Sequence, residues 1–378
     1  MMTSETAVPC PRTGKRRILA LVSDAFGGYG GIAQFNRDFL AALSACPETE
    51  DILVIPRTGL PAADQMPPKV RQLIPPRGRV GYAARTIQNA RRRSKYDFVF
   101  CGHLHLAGLA QLAARRAGVP LWVHLHGIEA WDEPRGHLRR AVESADLVTA
   151  VSRYTRQRVL AWANVRPDRI KVLPNTFRSD VVGGYATTGE GACILERHGL
   201  QGRDVILTVS RIDAADHYKG HDKVIRAMKE VRIRHPDAAY IIVGRGDNRK
   251  ALQRLAAEES VIDSVRFLGP LADEELRALY RAGRLFVMPS TKEGFGIVFL
   301  EAAASGLPII AGDRGGSIDA LADGALGTLI DPENAEGLVA AICEVLERPR
   351  NPAVPEALAR FASVNFNAQV KRLVESIH

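Results

Sequence analysis

Two α/β domains, each built on a parallel sheet in the Rossmann manner, are what this sequence predicts, and three observations carry the expectation. The chain is 378 residues long, beyond the size at which a single hydrophobic core stops growing. Short, continuously apolar segments alternate with longer helix-like ones, and the alternation runs twice. Between the two runs lies Val181 to Ala192, holding Gly183, Gly184, Gly189, Gly191 and two threonines, which is the composition of a linker.

Taken in order, Arg17 to Val22, Asp51 to Ile55, Asp97 to Cys101, Pro120 to His124, Leu147 to Val151 and Ile170 to Leu173 read as strands of the first domain. Val205 to Ser210, Ala239 to Val243, Val265 to Leu268, Leu285 to Met288 and Pro308 to Ala311 repeat the pattern in the second. Strands this uniformly apolar have both faces covered, as parallel sheets do. The expected division is a first domain over residues 1–183, a hinge over 184–192 and a second domain over 193–362. A last helix over 363–378, clearest from Asn367 to Ile377, is expected to cross back to the first domain.

Bulk properties narrow the function classes. No apolar run approaches the roughly 18 residues needed to span a bilayer, and Ile18 to Val22 after Lys15-Arg16-Arg17 is too short for a signal sequence, so a cytoplasmic protein is expected. The five cysteines are scattered and form no C-x-x-C or Cys/His cluster, which points to neither disulfides nor zinc. Net charge is +9, but its distribution matters more. Met1 to Gly183 holds 27 Lys and Arg against 15 Asp and Glu, or +12, whereas the rest carries −3. The clusters Arg77/Arg79, Arg91-Arg92-Arg93-Lys95, Arg115-Arg116 and Arg139-Arg140 suit an anionic membrane face or a diphosphate-bearing lipid acceptor, or simply a solvated basic surface. Nucleic acid is disfavoured, because no aromatic residues interleave them, and the expected partner is an anionic membrane surface, met peripherally on its inner face through the basic first half.

The densest chemical signal is Glu293-Gly294-Phe295-Gly296-Ile297-Val298-Phe299-Leu300-Glu301. Two glycines let backbone approach a ligand closely, and the helix that follows points free N–H groups and a positive dipole end at an anion. Glu293 is placed to accept hydrogen bonds from a sugar and Glu301, about two turns inside the helix, from a ribose. Together they outline a nucleotide-sugar pocket. The bland alternative makes Glu293 a loop acid, Glu301 a solvated helix residue and Phe295 a core aromatic.

This segment resembles the E-x7-E motif of the family 4 retaining glycosyltransferases of the GT-B fold, also called glycosyl transferases group 1. The resemblance takes in Arg211, Lys219-Gly220, Val265-Arg266-Phe267-Leu268-Gly269 and Gly315-Gly316, so it is dense from Asp204 to Leu346 and looser before. It implies an active site in an interdomain cleft, retention of configuration, domain closure that excludes water, and no cofactor. Departure of a nucleoside diphosphate builds negative charge that must be neutralised. No D-x-D pair exists to hold a metal, so no metal is expected. A guanidinium at Arg211 and an ammonium at Lys219 can replace a divalent ion. The family usually has five residues from arginine to lysine; here Asp213 to Tyr218 lengthens the interval to eight.

Further positions follow from the same resemblance. Gly30 and Gly31, in Gly27-Gly28-Tyr29-Gly30-Gly31, occupy the place of a glycine-rich loop near the diphosphate. His126 matches a histidine beside the donor sugar, where it would position the sugar and polarise the forming cation, with general-base catalysis as the alternative. His103 and His105 resemble a strand-end cluster on the acceptor side. Leu268 ends the strand where such proteins grip the base through backbone groups, which leaves uracil and guanine equally open. Leu173-Pro174-Asn175-Thr176 has threonine for the family's glycine, with Arg178 where an acid is common, and Asp319 replaces the glutamate of a G-G-x-x-E loop. The resemblance implies a UDP- or GDP-linked sugar donor, a glycan or polyprenyl-diphosphate-linked acceptor, and a place in bacterial exopolysaccharide or lipopolysaccharide synthesis.

A rival reading starts from Gly28 to Ala33, which fits the dinucleotide fingerprint G-x-G-x-x-A and would make the protein an NAD(P)-dependent epimerase or reductase. The ribose-binding acid expected after the second strand is absent, since Ile55 runs into Pro56-Arg57, although an arginine there suits NADP. A binding protein that has kept the pocket and lost turnover is the third possibility.

Overall fold

The computed structural model describes residues 15–60, 66–90, 95–177, 188–350 and 353–377. The chain forms two compact α/β units, the first drawn from Met1–Ala150, Arg158–Leu173 and Val364–His378 and the second from Val151–Gln157 and Pro174–Ser363.

Along the first part of the chain come β1 (Arg16–Val22), α1 (Gly31–Ala45), β2 (Thr49–Pro56), β3 (Val70–Gln72), α2 (Gly78–Ala90) and β4 (Phe98–Cys101). They are followed by α3 (Ala107–Ala117), β5 (Leu121–Leu125), α4 (Gly136–Glu143), β6 (Leu147–Ala150), α5 (Arg153–Leu160) and β7 (Ile170–Val172). The seven strands form one parallel sheet in the order β3-β2-β1-β4-β5-β6-β7. Period-two alternation sorts β1 onto two buried faces. Ile18, Ala20 and Val22 enter one apolar cluster with Phe98, Phe100 and Trp122, while Leu19 and Leu21 enter the other with Val99, Val123 and Val148. Both faces exclude water, which is why these strands read as unbroken apolar runs.

The second unit holds α6 (Thr188–Arg197), β8 (Asp204–Val209), α7 (His221–Arg234), β9 (Ala238–Val243), α8 (Arg249–Glu258), β10 (Val265–Leu268) and α9 (Asp273–Ala282). It continues with β11 (Leu285–Met288), α10 (Ile297–Ala304), β12 (Ile309–Gly312), α11 (Ser317–Ala320), β13 (Thr328–Ile330) and α12 (Ala335–Glu347). Its parallel sheet runs β10-β9-β8-β11-β12-β13. The last helix, α13 (Ser363–Glu375), belongs to the first unit, where Phe366, Val370 and Val374, spaced one turn apart, are buried with Phe35 and Phe39.

Two strands escape the sequence pattern. Both β3 and β13 are three-residue edge strands, each hydrogen-bonded on one side only, to β2 and β12. An edge strand buries less, so Val70-Arg71-Gln72 and Thr328-Leu329-Ile330 carry no continuous apolar run. The expected linker lies mostly outside the described residues, as do Arg178 and the cluster Arg91-Arg92-Arg93. Helix α6 begins at Thr188, so Gly189 and Gly191 are helical rather than linker residues. In each sheet the strand order reverses once, between β1 and β4 and between β8 and β11. The loops leaving the carboxyl ends of those strands diverge to either side and open a crevice.

Candidate functional site

In the second unit, the loops beyond β8 and β11 carry most of the residues singled out above. After β8 the chain passes Arg211 and winds through a 3-10 turn, Ala214–Lys219, before Gly220 caps α7. That turn absorbs the lengthened arginine-to-lysine interval. Asp216 is buried in it and accepts hydrogen bonds from the Tyr218 hydroxyl (2.6 Å) and from Arg211 Nη2 (3.2 Å). The Arg211 side chain is nonetheless 70% exposed, so its guanidinium keeps donors for another anion. Lys219 is turned inward, only 13% exposed at its side chain, and its Nζ donates to Glu293 Oε2, whose own side chain is 11% exposed. Each of these buried groups is the other's ion-pair partner, so removing either would leave its partner buried and unpaired.

Gly220 makes the inward turn possible. Its φ is +79°, and a Cβ there would lie 2.7 Å from the Pro289 carbonyl oxygen. His221, the first residue of α7, bonds Ser210 Oγ through Nε2 at 2.8 Å. Burial, aided by the Lys219 charge, pushes its pKa down to about 4. Burial also drives the Tyr218 hydroxyl upward, with Asp216 adding to the effect, so Tyr218 remains a donor.

Beyond β11, Glu293 and the Gly294-Phe295-Gly296 turn lead into α10. Phe295 is buried and packs edge-on against Phe361, anchoring the turn from below. The turn is closed on its other side by the loop after β12: Gly316 N–H donates to the Glu293 carbonyl at 2.6 Å, and a Cβ on Gly316 would lie 2.0 Å from Gly294 O. Gly296, at φ +89°, caps α10 and would bring a Cβ within 2.6 Å of the Phe299 ring. The tightness of both loops explains the glycines. Glu301 is placed in the second turn of α10, which starts at Ile297, and not two full turns inside as the sequence suggested. Its Oε2 accepts from the buried Tyr280 hydroxyl at 3.0 Å. Leu268 ends β10, half-buried, two strands from β8. Asp319 pairs with Arg153, which also bonds Asp323, an ion-pair group within the second unit.

In the first unit the equivalent crevice gathers the histidines. Gly30 has φ +88° and caps α1, whose first residue is Gly31. Arg37 staples the preceding loop by donating to the carbonyls of Ala25 and Gly28. One turn into α1, Phe35 lies 5.1 Å edge-on from the His126 ring and stacks on His124 at 3.9 Å. The His126 Nε2 lies 2.8 Å from the Gly102 carbonyl, and its backbone N–H donates to Glu129 at 2.6 Å. A carbonyl only accepts, so Nε2 carries the proton and Nδ1 holds a lone pair. Burial pushes the His126 pKa down to about 4, against the pull of Glu129. The imidazole is therefore neutral and presents an acceptor for a hydroxyl. His103 lies 6.0 Å from His126, ring to ring, and is likewise held at about 4 by burial; His105, 4.9 Å from His103, completes the row.

Sequence reading missed Asp216, Tyr218 and His221, although all three stand in or beside the lengthened interval, and it missed Tyr280 and Phe35, which only packing brings to Glu301 and His126. Among the described residues no group of three or more His, Cys, Asp or Glu side chains converges to hold a metal ion. No helix among them is long and apolar enough to cross a membrane.

Comparison with known proteins matches residues 195–362 to the family described as "Glycosyl transferases group 1" and residues 29–180 to "Glycosyltransferase Family 4". A GDP-mannose-dependent alpha-(1-6)-phosphatidylinositol monomannoside mannosyltransferase of Mycolicibacterium smegmatis is 36% identical over 66% of this chain and 66% of its own length, just under two thirds. A monoacylated-substrate counterpart from Corynebacterium glutamicum is 28% identical over 92% of this chain and 93% of its length. Among solved structures, Anabaena HepE in complex with UDP-glucose superposes with a TM-score of 0.77 at 25% identity, over 96% of this chain and 100% of that one.

Proposed function

Because this chain belongs to the family 4 glycosyltransferases of the GT-B fold, we propose that it is a retaining, metal-independent hexosyltransferase using a nucleoside diphosphate sugar. The observation that carries the reading is the buried Lys219–Glu293 pair beside the Gly294-Phe295-Gly296 turn. The ammonium has three protons and the carboxylate several lone pairs, so each keeps capacity after bonding the other. Lys219 and exposed Arg211 would hold the departing diphosphate, with turn N–H groups adding donors, while Glu293 would orient the sugar and Glu301 the ribose. Neutral His126 would accept a hydroxyl of the reacting sugar through Nδ1. With donor phosphate and incoming hydroxyl on one face, a phosphate oxygen takes the acceptor proton and no carboxylate nucleophile is needed.

Relatives that use GDP-mannose, and a similar structure that holds UDP-glucose, make these two donors the first to test. The acceptor in this reading is a glycan or a lipid-linked sugar of the bacterial surface, met at the inner face of the membrane. Calorimetry with UDP, GDP, the two sugar conjugates and NADP, in EDTA, tests it. Micromolar binding of one nucleoside diphosphate without metal is expected and names the base. Binding of NADP alone would move the chemistry to the Gly28 to Ala33 loop.

A further inference from the structure

The basic excess of the first half is not spread evenly. Between Ile52 and Tyr96 the chain has ten Lys and Arg against a single acid, Asp64, a surplus that equals the net charge of the whole protein. The structure then separates those arginines that hold the fold together from those that do not. Arg139 is paired with Glu133 and Glu143, and Arg115 and Arg116 close the C-terminal turn of α3, where cations are favoured. Arg71 is paired with Asp51. Among the described residues no carboxylate pairs with Arg77 or Arg79, which flank the first residue of α2. That helix has no acid in its first turn, and its own dipole disfavours cations there. An external anion would relieve both terms.

Large apolar side chains stand exposed around the same charges. Ile74, just past β3, is 72% exposed; Val80, in the first turn of α2, 83%; and Leu60, beyond β2, 71%. Contacts bring their loops together. Arg57 donates to the Gly78 carbonyl, Gln72 bonds the backbone of Phe26, and the Leu60 carbonyl abuts Gly27. All leave the carboxyl ends of β1, β2 and β3, so these side chains form one rim at the edge of the first sheet. Exposed branched side chains beside unpaired arginines match an interface with hydrocarbon on one side and anionic headgroups on the other. A nucleic acid would call for a series of stacked aromatic residues, and the loops of this rim expose a single one, Tyr29.

We propose that this rim, Ile74, Val80 and Leu60 with Arg77 and Arg79, docks the first unit on an anionic lipid bilayer. It gives a location to the membrane-borne acceptor in the functional reading, but its physics does not depend on that reading. The test is therefore made with no sugar donor. The full chain is floated with vesicles of phosphatidylcholine alone and with phosphatidylglycerol added. Binding to the anionic vesicles, weakening as salt rises, is expected. Arg77→Gln with Arg79→Gln should weaken it by roughly 30-fold, taking about 1 kcal/mol per cation. Ile74→Ser with Val80→Ser should remove the part that survives high salt, and these exposed positions leave folding and nucleotide affinity unchanged. Absence of vesicle binding, unaltered binding by both double variants, or complete competition by soluble glycerol phosphate would overturn the proposal. Vesicle binding without nucleotide binding would overturn the transferase reading and leave the docking surface standing.

Discussion

At the scale of single residues, the two charges that face the proposed phosphates are held in opposite ways, and that difference is measurable. Glu293→Gln would leave the Lys219 ammonium buried without its counter-charge, a loss expected to cost about 3 kcal/mol. Arg211 is mostly exposed, and its buried partner Asp216 keeps the Tyr218 hydroxyl, so Arg211→Ala should cost less, about 1 kcal/mol. Both are expected to lower transfer by at least ~100-fold, but only Glu293→Gln should lower the melting temperature clearly. Full transfer in either variant would remove that residue from the chemistry. Histidines add a pH signature. Burial holds His103, His126 and His221 at about 4, against an ordinary 6.5. The unfolded chain binds more protons between those values, so their contribution to stability is complete above pH 6.5 and is lost as pH falls towards 4. Each adds a slope of up to ~1.4 kcal/mol per pH unit. Denaturant midpoints at pH 7 and pH 5 should differ less in His126→Gln than in the parent; an identical difference would show that His126 does not contribute.

At the scale of elements, the site depends on turns whose backbones leave no room for a side chain. Gly296→Ala places a Cβ against Phe299 in the left-handed region, and Gly316→Ala drives one into the Gly294 carbonyl. Each should cost at least ~1–2 kcal/mol in stability and weaken nucleotide binding, because α10 and its turn would have to shift. Calorimetry alongside melting separates the two effects. Unchanged nucleotide affinity in Gly316→Ala would mean that the turn does not meet the ligand. The 3-10 turn Ala214–Lys219 is the element that lets a longer loop still deliver Lys219 to Glu293. Its signal was present in Asp216 and Tyr218, yet nothing in their spacing reveals that they bond each other.

At the scale of the whole molecule, the chain's last helix contributes to a core built mainly from its first residues. Phe366, Val370, Val374 and Ile377 are buried in the cluster that contains Phe35 and Phe39. Removing residues 363–378 would expose four apolar side chains' worth of surface, about 6–12 kcal/mol, comparable to the entire stability of a domain. The truncated chain is expected to be insoluble or to lose the first unit's melting transition; a normally folded truncation would refute that accounting. The two parallel α/β sheets were legible from the residues alone, because strands buried on both faces must be continuously apolar, and so was the family, through Arg211, Glu293 and the Gly-Phe-Gly turn. Edge strands β3 and β13 stayed hidden, since one-sided pairing demands no such run. The packed fold alone fixes which polar groups meet: Lys219 with Glu293, Asp216 with Arg211 and Tyr218, Tyr280 with Glu301, and His126 with the Gly102 carbonyl. Lys219 with Glu293 and His126 with Gly102 are set by strand-end loops distant in sequence, whereas Asp216 meets Arg211 and Tyr218 within one 3-10 turn and Tyr280 meets Glu301 between two helices; no local pattern records any of these contacts.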